Sequence, residues 1–119
     1  MSLRAFGSNT SAVRMLPGLI AEAQRDPELA AGWRDRVVRP LRARYTVLLE
    51  RAIGRGEIPP DTDTDVVLDL LFGAGLYRLL HRHRPLDDKF VEHAVAVVTA
   101  GLGIPPAVRG TAPKVRTQA

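Results

Sequence analysis

Three histidines, an alternating run of aspartates and a cluster of arginines are the side chains whose types and spacing invite a chemical reading. His81 and His83 suggest a metal, but residues two apart on a helix point about 200° from each other and cannot share an ion. His93 stands alone. The expected place of all three is a helix end or a solvated face. Asp61, Asp63 and Asp65 look like the opening of a calcium loop, but its glycine and distal glutamate are missing. An acidic helix start is what remains. Arg34, Arg36, Arg39, Arg42 and Arg44 carry the charge for a phosphate-binding stripe. Asp35 interrupts them, and no helix-turn-helix with a polar recognition helix follows, so the expectation is a solvated arginine-rich face.

Nucleophiles are as sparse. Ser2, Ser8 and Ser11 lie near the N-terminus with no glycine-flanked elbow around them. Gly54-Arg55-Gly56 and Gly73-Ala74-Gly75 follow no strand and lack the lysine and hydroxyl of a phosphate loop. Cysteine is absent, which excludes disulfides, thiolate catalysis and thiolate metal sites. No catalytic residue, metal ligand or cofactor is expected, and the chain reads as a non-enzyme.

The elements that position these groups follow from composition and periodicity. With 119 residues, 45% hydrophobic and 25% charged, the chain suits one compact soluble domain. The net charge of +4 is largely a tail effect: Arg109, Lys114 and Arg116 lie in an acid-free stretch, and without them residues 1–108 carry +1. That weakens any case for nucleic-acid binding. No apolar run is long enough to span a membrane; Val66 to Leu80 is broken by Asp69 and Arg78. No secretory leader is seen, and a cytoplasmic protein is expected.

Val13, Leu16, Leu19, Ile20 and Ala23 recur at helical steps, with Pro17 marking a start or a bend. Asp26-Pro27-Glu28 opens a second helix by cap, preset φ and dipole. Leu29, Trp33, Val37, Leu41, Tyr45, Leu48 and Ala52 then form a stripe, mostly in steps of four, that would wind around a straight rod. Pro40 predicts a kink near Arg36. Gly54-Arg55-Gly56 and Pro59-Pro60 stop the helix. Asp61 to Asp65 opens the next, whose body from Val66 to Leu80 is apolar on nearly every face. Asp87-Asp88 caps a last helix carrying Phe90, Val91, Ala94, Val95, Val98 and Leu102 on one face. Its valines favour strand, but the four-residue spacing decides for helix. The expected organisation is a flexible segment over 1–12, an all-α bundle of four to five helices over 13–104, and a disordered basic tail over 105–119.

In order and spacing these segments resemble the C-terminal regulatory domain of the tetracycline-repressor-like (TetR) family. The stretches that carry the likeness are Met15 to Ala23, Asp26 to Leu29, Leu48 to Ala52 running on to Arg55-Gly56-Glu57-Ile58, Leu68 to Gly73, Tyr77 to Leu80, and Pro85 to Asp88 with Phe90-Val91. They cover most of the chain, from about Val13 to Ile104. The resemblance implies a homodimer paired through its last two long helices, a small and usually apolar effector, and DNA contact only through an N-terminal helix-turn-helix absent from this chain. On that reading Leu70, Tyr77 and Leu80 supply interface area, Gly73 and Ala74 let a helix approach closely, and Val91, Ala94, Val95 and Val98 form the matching ridge. Trp33, Val37, Leu41 and Tyr45, with Phe72 and Leu76 opposite, are the candidate effector lining; plain core is the competing account of all six. The alternatives in function are a stand-alone helical dimerisation module that senses nothing and an arginine-rich nucleic-acid binder.

Overall fold

The computed structural model describes residues 10–104, whose regular structure is helix joined by turns, with no strand among them. Residues 1–9 and 105–119, which hold most of the expected loose segment and all of the expected tail, lie outside the described residues. Five helices follow in order: α1 (Thr10–Ala23), α2 (Pro27–Trp33), α3 (Arg39–Gly54), α4 (Thr64–His81) and α5 (Asp88–Gly101). A π turn (Arg34–Val38) joins α2 to α3 without a break. The chain divides into two compact units at Tyr45 and Thr46. In the first, α1 packs on α2; in the second, α4 packs on α5.

In the first unit α1 begins at Thr10, upstream of the apolar periodicity, and runs through Pro17 without stopping. Pro17 therefore does not mark the start of the helix. The α2 cap forms as the sequence dictates. Asp26 is extended and its carboxylate accepts from the Glu28 and Leu29 amides at 3.1 and 3.2 Å, while Pro27 takes the first helical position.

The π turn answers two problems posed by the sequence at once. Pro40 has no amide hydrogen, and its ring would crowd the Arg36 carbonyl four residues back. The backbone widens just ahead of it, so that the Arg39 amide reaches the Arg34 carbonyl, five residues away. An apolar stripe in steps of four gains about 40° per step on a regular helix, and one wide turn rotates it back. Trp33, Leu41 and Tyr45 accordingly all remain half-buried, whereas Val37, inside the wide turn, is 41% exposed and Val38 is covered in its place.

In the second unit α3 ends where Gly56 takes φ +76°, letting its amide bond to Ile53 and that of Glu57 to Ala52. Gly103, at φ +74°, closes α5 in the same way, its amide on Ala100 and that of Ile104 on Thr99. This turn tucks Ile104 inward to 5% exposure. Asp63 caps α4 by accepting from the Asp65 and Val66 amides, and Asp87 caps α5 by accepting from that of Phe90 at 2.9 Å. The aspartate run is thus the acidic helix start expected of it. Among the described residues, the buried apolar side chains of this unit are Val67, Leu68 and Ile104. Such a core is thin for a helix as apolar as α4.

Candidate functional site

What the second unit leaves uncovered is its most developed surface. Val66 (48% exposed), Leu70 (56%), Tyr77 (58%) and Leu80 (43%) are large apolar residues in the open. With the exposed Gly73 they follow at steps of four, three, four and three, which places them on one face of α4. The stripe runs for roughly 20 Å at 1.5 Å per residue. A Cβ built on Gly73 meets nothing within 4 Å, so its missing side chain makes room for no other described part of this chain. One on Gly75 would touch only the Leu86 side chain, at 3.9 Å.

Of the residues expected at an interface, Leu70, Gly73, Tyr77 and Leu80 are in the open. Ala74, Val91, Ala94, Val95 and Val98 are half-buried, the last four on the helix that packs against α4. Val66 and the 61% exposed Val97 were not among them. Val66 lies one helical turn before Leu70, the signal by which it would have been found.

The candidate effector residues divide between the units. Trp33, Val37, Leu41 and Tyr45 lie along α2, the π turn and α3; Phe72 and Leu76 are half-buried on α4. Burial pushes the Tyr45 hydroxyl above the ordinary tyrosine range, against a smaller opposing pull from Arg44. It therefore stays protonated at neutral pH and able to donate a hydrogen bond. Two open depressions in the second unit are lined by other residues. One of about 380 Å³ is bordered by Ile53, Ile58, Pro59 and Ile104, and another of about 440 Å³ by Arg78, Arg82, His83 and Arg84.

The polar groups fall out differently from one another. Arg34, Arg36, Arg39 and Arg44 are exposed, and Arg39 pairs with Asp35 at 3.3 Å, as a solvated face requires. Arg55 and Glu57 form a two-pronged ion pair at 2.8 and 3.0 Å, which holds the Glu57 carboxyl below its ordinary range. His93 is half-buried rather than solvated. For His81 and His83 the helical-spacing argument fails, because the helix ends between them. Arg82 adopts the left-handed conformation (φ 52°, ψ 27°). Both imidazoles then lie against the Tyr77 ring, His81 at 4.4 Å and His83 edge-on at 5.3 Å between centroids. Arg78 is held nearby, its guanidinium 4.0 Å above the Phe90 ring and donating to the Pro85 carbonyl. Among the described residues no three His, Asp or Glu side chains converge as a metal set, and no helix is long and apolar enough to cross a membrane.

Fold and site together define an all-α arrangement with an exposed apolar stripe on α4. Residues 1–98 match the family described as "Tetracyclin repressor-like, C-terminal domain". The chain belongs to that family. It is 36% identical over 77 residues to the uncharacterised HTH-type transcriptional regulator YdeS of Bacillus subtilis (strain 168), a match covering 65% of this chain and 39% of that protein. Its fold matches the crystal structure of the TetR-family transcription regulator SCO0332 with a TM-score of 0.71 at 36% identity, over 87% of this chain and 58% of that one. The chain thus spans less than two thirds of either relative.

Proposed function

We propose that residues 13–104 are the regulatory domain of a cytoplasmic transcriptional regulator, which pairs with a second copy through α4 and α5 and binds a small, mainly apolar effector. The observation that carries this reading is the bare stripe of Val66, Leu70, Gly73, Tyr77 and Leu80 on the apolar helix of a thin-cored unit. Folded proteins cover such a surface, and a twofold pair of identical stripes is the simplest cover. Val91, Ala94, Val95 and Val98 contribute from α5, and Ala74 from the flank of the stripe. Two relatives described as regulators of transcription support the role. DNA contact belongs to a helix-turn-helix in the whole protein. The domain acts by binding, not by catalysis, and needs no cofactor.

For the effector, Trp33, Val37, Leu41 and Tyr45 of the first unit offer an apolar wall. Trp33 is the sole tryptophan, so a change in its emission on adding small apolar compounds reports occupancy directly.

The absence of cysteine makes the pairing testable by single substitutions. Leu70→Cys, Gly73→Cys and Tyr77→Cys place thiols along the stripe, and Glu92→Cys places one on an exposed polar position of α5. Under mild oxidation at least one stripe position is expected to give a covalent dimer far faster than Glu92→Cys. Equal, slow cross-linking at all four positions would refute the pairing.

A further inference from the structure

Tyr77 is the largest residue of the bare stripe, and two histidines lie against it. This arrangement depends on Arg82. A left-handed backbone is one that residues other than glycine rarely adopt. Here it closes the last turn of α4, the Arg82 amide bonding to the Arg78 carbonyl at 2.8 Å. It also returns the chain so that His83 meets the same ring as His81. A helix continued through Arg82 would send the two imidazoles to opposite sides.

We propose that His81 and His83 make association through α4 sensitive to pH, the two-chain form holding at neutral pH and loosening as pH falls through the range where histidine gains its charge. The inference rests on the pairing proposed above. A partner that covers Tyr77 must also cover the imidazoles against it, and removal from water disfavours their charged form. Histidine is the side chain whose charge changes between about pH 5 and 8. Arg78 lies one residue beyond Tyr77, and Arg82 and Arg84 flank His83, with which all three arginines border one depression. From α5, the helix packed on α4, the charged groups at this end are Asp87, Asp88 and Lys89, followed by Glu92 and the half-buried His93. Asp87 is committed to capping α5. A symmetric pair holds four such imidazoles, so charge gained in acid is set against the contact four times over.

The test is sedimentation of the full chain at about pH 7.5 and about pH 5.5, at constant ionic strength, beside the His81→Gln/His83→Gln double variant. The wild-type dissociation constant is expected to rise at least about tenfold at the lower pH. The double variant should pair as well as wild type at neutral pH and change by less than about threefold. An unchanged wild-type constant would overturn the inference while leaving the pairing intact, and so would a loosening that persists in the double variant. Helix loss at low pH in both proteins, seen by circular dichroism, would assign the effect to other groups and overturn it equally. A single-chain mass at neutral pH would remove the pairing itself, and the inference with it.

Discussion

Truncating Leu70 separates the stability of the chain from that of the pair. Leu70 is 56% exposed in the single chain, so somewhat more than half of it is left uncovered by the folded unit. Covering a leucine side chain completely is worth about 1.5–3 kcal/mol, and roughly half of that is still to be gained here on association. Leu70→Ala should therefore cost about 1 kcal/mol per chain, or about 2 kcal/mol per twofold pair, since the residue occurs on both sides of the contact. That corresponds to about a thirtyfold rise in the dissociation constant. Equilibrium sedimentation over a concentration series measures it directly, with circular dichroism as the check on helix content. The reasoning is refuted if the constant changes by less than about threefold. It is refuted equally if dilute single chains lose as much stability as the pair does.

Gly73→Ala asks how closely the second chain approaches. The added methyl meets open space and should favour the helix by about 0.5–1 kcal/mol in a single chain, whereas crowding a close contact costs about 1–3 kcal/mol. Unchanged or higher helicity with weaker association is expected; tighter association would show that no helix packs closely there. Asp63→Ala removes the α4 cap and should lower folding stability by about 1 kcal/mol in a denaturant titration, with no gain on adding salt. Glu57 is held below its ordinary range by Arg55, so its contribution is present above the unfolded carboxylate range and disappears as pH falls through the folded one. Glu57→Gln is accordingly expected to lower the melting temperature slightly at neutral pH and not at all in acid, and equal losses at both would refute the pairing of Glu57 with Arg55.

Local chemistry made most of the fold legible before any coordinates. Asp26, Asp63 and Asp87 cap the helices whose starts they announce, and Gly56 and Gly103 end α3 and α5 at positive φ. Each of these signals lies within one turn of its effect. Pro40 gave the position of the distortion but not its form, because a kink and a π turn relieve the same missing bond. Pro17 shows the limit from the other side, since α1 simply runs through it. The exposed stripe was legible as excess: Val66 to Leu80 held more apolar faces than one small unit covers. Which faces stay bare depends on where α5 packs, and a one-dimensional pattern does not contain that. The histidine pair was illegible for a sharper reason. Its geometry turns on a single left-handed arginine, a conformation no residue preference at position 82 announces.

The mass of the full chain in solution at neutral pH tests the central proposal most directly. Equilibrium sedimentation is expected to give twice the mass of one chain, passing to the single-chain mass on dilution as the contact through α4 separates. A single-chain mass that persists to the highest soluble concentration, with helicity intact, would contradict it.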